Sequence, residues 1–119
     1  MKTARLAFGV AGIYGLIVLV PLFFAEPWLV PPPSRPEDYY GFLGAAAAMQ
    51  FVYLTIASDP VRYRPLMPIG VLAKSSFFAT MLILWTRGRT GDPGMVLASI
   101  DMGLGLAFAV AWLSTRGRR

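Results

Sequence analysis

The sequence contains no cysteine and no histidine, and only 14% of its 119 residues are charged. Without cysteine there are no disulfides and no thiolate chemistry, and without histidine there is no histidine-ligated haem and no typical zinc or copper site. We therefore expect no metal or other cofactor. A charged fraction this low, beside a hydrophobic fraction of 56%, lies outside the usual range for a soluble domain.

Four long apolar segments lie between short clusters of charged residues. They cover about residues 6–25, 39–58, 66–85 and 94–114, and each is near the ~20 residues that cross a hydrocarbon core about 30 Å thick. Helices suit this environment because they satisfy their own backbone hydrogen bonds in lipid. The sequence predicts one all-α membrane domain, residues 1–119, folded as an antiparallel bundle of four transmembrane helices.

The first apolar segment follows Lys2 and Arg5, as the apolar region of a secretory signal peptide would. Such a region usually has only ~7–15 residues and ends in a small-x-small cleavage site. Here the segment is longer and ends in Phe23-Phe24-Ala25-Glu26-Pro27. We expect it to be a retained membrane helix.

The connections have distinct compositions. From Pro27 to Asp38 the chain carries five prolines, which predict a loop with extended polyproline geometry. Trp28, Tyr39 and Tyr40 suit the aromatic belt at a membrane surface. The segment from Asp59 to Pro65 is short and basic, and it reads as a cytoplasmic turn.

Basic residues are unequally divided between the two sides of the predicted bundle. One side has seven, namely Lys2, Arg5, Arg62, Arg64, Arg116, Arg118 and Arg119, and the other has Arg35, Arg87 and Arg89. The positive-inside rule then places both termini in the cytoplasm, with the protein in the cell inner (plasma) membrane. This topology also explains the net charge of +5, so we expect no nucleic-acid partner.

Small residues recur at helical spacing in the first two spans. Gly41 pairs with Ala45 and Gly44 with Ala48, and the first span carries Gly9, Gly12 and Gly15. Small side chains let helices approach closely in lipid, where van der Waals contact drives association. They predict close helix packing, either within the chain or in an assembly.

Lys74 and Asp101 lie deep inside the third and fourth spans. An ionisable group at bilayer depth costs ~2.5–3.5 kcal/mol on insertion scales, so it usually faces the bundle interior, a partner or a wet cavity. At ~1.5 Å per residue the two lie about 8 Å apart in depth, which leaves a direct ion pair open. Ser75, or another hydroxyl or water, is an alternative bridge.

Gln50 and Tyr14 fall at about the depth of Lys74, so all four helices can contribute to one polar cluster. Three interpretations remain open. The cluster fixes helix register, or it binds a substrate, ion or proton near the midplane, or Lys74 extends toward the cytoplasmic interface while Asp101 faces water or another subunit.

The second half of the chain resembles small four-helix bacterial membrane proteins of the DoxX-like kind. The resemblance rests on Asp59-Pro60-Val61-Arg62-Tyr63-Arg64-Pro65-Leu66, Lys74, Gly88-Arg89, and Asp101-Met102-Gly103-Leu104-Gly105-Leu106-Ala107-Phe108. It implies four helices with cytoplasmic termini and, for some members, a link to quinone or sulfur redox membrane complexes. Small multidrug transporters differ, because they use a glutamate in the first span where this chain has Tyr14.

Three functions follow from these patterns. The first is a small transporter or ligand-binding membrane protein, which we expect to be a homo-oligomer because four helices enclose little volume. The second is a non-catalytic subunit of a larger membrane complex. The third, a membrane enzyme, has little beyond lysine–aspartate proton transfer to rest on.

Overall fold

The computed structural model describes residues 2–29 and 32–116, which form four long helices and two short 3₁₀ turns. The helices are α1 (Lys2–Ala25), α2 (Pro36–Ser58), α3 (Met67–Thr86) and α4 (Asp92–Ser114). Each is long and apolar enough to cross a membrane, which confirms the prediction of four such helices. Val30 and Pro31, and also Arg118 and Arg119 from the basic cluster counted above, lie outside the described residues.

The loop predicted between Pro27 and Asp38 is shorter than expected at both ends. Glu26–Trp28 forms a 3₁₀ turn, and α2 begins at Pro36. Proline is well suited to the first turn of a helix because its missing N–H needs no partner there. The acidic residues Glu37 and Asp38 follow in the same turn, where negative charge interacts favourably with the helix dipole.

Contacts near the helix ends show which termini of α1 and α2, and of α3 and α4, lie side by side. The Tyr39 hydroxyl donates to the Leu22 carbonyl at 2.6 Å, so the start of α2 lies beside the end of α1. Arg64, just before α3, donates through Nη2 to the Trp112 carbonyl near the end of α4 at 2.8 Å. We call the end with Lys2 and Arg64 the basic end, and the end with Pro36 the proline end.

An aromatic core joins the two helical hairpins near the basic end. Phe8 of α1 stacks on Phe108 of α4 with ring centroids 4.1 Å apart, and Tyr53 of α2 lies 4.9 Å from the same ring. All three side chains are at most 1% exposed. This cluster fixes α1, α2 and α4 together at one end.

Helices α2 and α3 pack much less closely than the other neighbouring pairs. Over the described ranges, extensive backbone contact joins α1 to α2 and α3 to α4, and a smaller contact joins α1 to α4. A cleft therefore runs between α2 and α3, spanned by Phe42 and Phe77, whose ring centroids are 6.0 Å apart. This cleft is the route by which a molecule outside the bundle would reach its interior.

The outward surface of the bundle is strongly apolar. Large apolar side chains that are more than half exposed occur on every helix, among them Leu6, Ile17, Phe51, Leu72, Val96 and Leu106. Soluble monomers rarely expose contiguous apolar surface on this scale. The surface matches a lipid environment.

Glycines of α1 and α2 differ in their surroundings. A Cβ added at Gly12 would lie 2.7 Å from Leu54, and one at Gly15 would overlap the Gln50 carboxamide. The predicted close packing is confirmed for these two positions. In contrast, an added Cβ at Gly41 or Gly44 would meet no atom of the described residues within 4 Å, so the close packing predicted there does not occur among residues 2–29 and 32–116.

Candidate functional site

Lys74 of α3 and Asp101 of α4 form a direct ion pair inside the bundle. Lys74 Nζ lies 3.1 Å from Asp101 Oδ1, a distance that fits a charge-assisted hydrogen bond. The lysine is only 6% exposed, and the aspartate side chain is 23% exposed. The pair that the depth estimate left open is therefore present, and no bridging group is needed.

The register of α3 against α4 explains how the pair forms. A Cβ added at Gly105 would lie 2.9 Å from the Cβ of Lys74, so these two residues are level and their backbones are close. Asp101 is four residues from Gly105, or about 6 Å along the helix. The four-carbon stem of Lys74 extends over this distance and lies along the apolar interior.

Gln50 of α2 contributes the second buried polar side chain to the site. It is 5% exposed, and its Nε2 donates to the Ala46 carbonyl at 2.8 Å. Its Oε1 is buried and has no hydrogen-bond partner among the described residues. Such an unmatched acceptor costs about 1–3 kcal/mol, and this oxygen packs against Gly15 of α1.

Tyr53 belongs to the site although the sequence analysis did not single it out. Lys74 Nζ lies 5.3 Å from the centre of the Tyr53 ring, within the range of a cation–π interaction. Tyr53 follows Gln50 by three residues, so both project from the same face of α2. This spacing of three residues is the sequence pattern from which Tyr53 could have been predicted to lie beside Gln50.

An interior cavity of about 120 Å³ brings together the predicted residues Tyr14, Gln50, Lys74 and Asp101. Its remaining wall is mainly apolar, formed by Val18, Leu19, Leu22, Phe42, Phe77 and Leu97. The volume equals about four waters at ~30 Å³ each. The cavity thus has a polar floor and apolar walls, an arrangement common in small-molecule sites.

The cleft between α2 and α3 adjoins this interior cavity and has a volume of about 360 Å³. Both spaces share six lining residues: Phe42, Ala46, Gln50, Lys74, Phe77 and Asp101. A wider hollow of about 540 Å³ near Trp85 and Asp92 is more open and is lined by neither member of the ion pair. We therefore place the candidate site at the interior cavity and the adjoining cleft between α2 and α3.

The predicted site residue Ser75 is half-buried on α3. It is not among the residues that line the interior cavity or the cleft. One residue along a helix is a turn of about 100°, which directs Ser75 away from the direction of Lys74. Ser76 lines the cleft, but its hydroxyl donates to the Ala73 carbonyl at 3.1 Å.

The fold and the site define the class of this protein. It is an all-helical protein with four long apolar helices and a buried ion pair beside a small cavity. Among the described residues, no cluster of three or more acidic side chains is suited to hold a metal ion. No protein-family model, curated protein sequence or solved structure matches this chain.

Proposed function

We propose that this is a multi-pass protein of the bacterial inner membrane, with both termini cytoplasmic, that binds or translocates a small molecule at the Lys74–Asp101 site. The observation that carries the proposal is the cavity lined by this ion pair together with the buried Gln50 side chain. Buried polar groups inside a membrane are costly and commonly mark substrate or ion pathways.

The charges of the site favour a small molecule over a bare ion. Lys74 and Asp101 neutralise each other at 3.1 Å, so an additional cation or anion would have to compete with the pair. A molecule with a polar group and an apolar body is compatible with both the floor and the walls. Its polar group would interact with the site without separating the pair.

The proposal is tested by ligand-dependent stabilisation of the purified protein in lipid nanodiscs. We expect at least one member of a panel of lipophilic amines, carboxylates and neutral amphiphiles to raise the melting temperature, because a ligand at 100 times its Kd adds about 2.7 kcal/mol. Lys74→Met/Asp101→Asn should lose this shift. Ser99→Ala is the control, since its hydroxyl bonds to Met95 and does not line the cavity. An equal shift in the double variant would refute the proposal.

The proposed orientation is testable because the chain has no native cysteine. Single cysteines at Ser34 and Thr90 should react with a membrane-impermeant maleimide in intact spheroplasts. Cysteines at Thr3 and Arg62 should react only after the membrane is permeabilised, since seven of the basic residues flank this side. The opposite labelling pattern would place both termini outside.

A second candidate function is an accessory subunit of a larger membrane complex. Gly41 and Gly44 are exposed, and in the part of the chain that the structure describes no atom lies within 4 Å of a Cβ added at either position. Ala45 and Ala48 are exposed beside them. Small residues of this kind permit close approach of another helix. This candidate predicts co-purification with a partner, and a stable homo-oligomer in detergent would count against it.

A further inference from the structure

We propose that the site takes an uncharged, hydroxyl-bearing amphiphile directly from the bilayer through the cleft between α2 and α3. This inference rests on the proposed binding function and specifies the ligand class and the route. Three observations carry it: the hydrogen-bonding groups of the floor, the apolar walls, and the lateral position of the cleft.

The hydrogen-bonding groups of the floor are complementary to a hydroxyl. Among the described residues, Asp101 Oδ1 is the acceptor bonded by Lys74 Nζ, and an ammonium has three donors. The Asp101 carboxylate, whose side chain is 23% exposed, supplies acceptor oxygens beside this ammonium. A hydroxyl both donates and accepts, so it can bond to an acceptor and to Lys74 at once.

The absence of a net charge on the floor argues for an uncharged head group. A carboxylate ligand would be attracted by Lys74 but repelled by Asp101. A protonated amine would be attracted by Asp101 but repelled by Lys74. The two protein charges are 3.1 Å apart, so neither head group can contact one charge while escaping the other. Burial of a third charge in lipid adds its own desolvation cost.

The size of the two spaces separates the head group from the body of the ligand. The interior cavity of about 120 Å³ is large enough for a polar head and a few attached carbons. The adjoining cleft of about 360 Å³ is lined by Ala45, Met49, Ala73 and Thr80 besides the shared residues. An apolar chain would occupy this cleft and continue into the surrounding lipid.

The position of the cleft makes the lipid phase the source of the ligand. Toward the basic end the interior is closed by Phe8, Tyr53 and Phe108, each at most 1% exposed. Between α2 and α3 the Phe42 and Phe77 rings lie 6.0 Å apart, and Phe42 is 52% exposed.

The test uses photo-crosslinking of the full chain in lipid nanodiscs. The probe is a long-chain primary alcohol with a diazirine near the hydroxyl, compared with its methyl ether, carboxylate and amine analogues. We expect saturable labelling of peptides containing Gln50 or Phe77 by the alcohol, at least tenfold above the methyl ether. Lys74→Met/Asp101→Asn should reduce the labelling at least tenfold, while Ser99→Ala should not change it.

The route is tested with cysteines at Ala45 and Ser76, which line opposite sides of the cleft. A bifunctional thiol reagent applied before the alcohol probe should reduce labelling at least tenfold. The same reagent applied to the Ala45→Cys single variant is the control. Undiminished labelling in the cross-linked variant would overturn lateral access.

The outcomes distinguish this inference from the proposed function. Saturable labelling of the cavity by the carboxylate or the amine, with none by the alcohol, would overturn the ligand class and leave the binding site standing. Equal labelling by the alcohol and its methyl ether would overturn the role of the hydroxyl. Labelling confined to the outer surface with every probe would overturn both proposals.

Discussion

Replacing Lys74 by methionine is expected to lower the free energy of unfolding by about 3–5 kcal/mol, the cost typical of breaking a buried ion pair. The reason is that Asp101 would keep its place in the interior without the ammonium that now lies 3.1 Å away. Unfolding in mixed detergent micelles, followed by circular dichroism, measures the change. Lys2→Met is the matched control, because Lys2 is exposed.

The double variant Lys74→Met/Asp101→Asn distinguishes the effect of losing the whole ion pair from the effect of leaving one charge without its partner. Replacing both members of a buried pair is often neutral or stabilising, so we expect much of the lost stability to return. The same double variant is expected to lose ligand binding. If Lys74→Met alone is as stable as the wild type, then the ion pair does not contribute as the structure indicates.

Replacing Gly105 by leucine is expected to lower the free energy of unfolding by about 1–3 kcal/mol, as overpacking usually does. Even a Cβ at this position would lie 2.9 Å from the Cβ of Lys74. The larger side chain must therefore separate α3 from α4 or displace the lysine stem. Either movement lengthens the distance between Lys74 and Asp101.

Gly103→Leu is the control for this prediction. Gly103 lies on the same helix, two residues away, and an added Cβ there meets no atom within 4 Å. Both substitutions replace a glycine by a better helix former, so the gain in helix propensity is the same and cancels. Equal unfolding free energies for the two variants would contradict the close approach of α3 and α4.

The helices were predictable because hydropathy and length depend on composition alone. The predicted bounds differ most at the starts of the first two helices, where α1 begins at Lys2 and α2 at Pro36. Both helix starts contain charged residues. A span predicted from hydropathy leaves such residues out, although they are compatible with a helical backbone. The sequence Pro36-Glu37-Asp38 was a usable signal for a helix start.

The proximity of four of the candidate residues was predictable, but their contacts were not. Depth along a helix placed Tyr14, Gln50 and Lys74 near one level and Asp101 about 8 Å away, and the structure brings all four to one cavity. The estimated offset of about 8 Å assumed that the span ends were level. The register set by Gly105 against Lys74 depends on side-chain packing, which spacing in a single sequence does not specify.

Phe42 and Phe77 were not predictable as site residues. Phenylalanine is common throughout the apolar spans, and most such side chains face lipid or the core. Their importance comes from the cleft, which exists because α2 and α3 pack less closely than the other neighbouring pairs. That difference arises from the arrangement of two hairpins, so no local pattern reveals it.

The division into two hairpins has a consequence for how the chain is inserted during synthesis. Lys74 and Asp101 lie on consecutive helices, 27 residues apart, so their charges can neutralise each other as soon as α3 and α4 enter the membrane together. Gln50 comes from the hairpin made earlier and meets them only when Phe8 and Phe108 join the halves. Both charges thus lie within one hairpin, whereas the cavity needs residues from both hairpins.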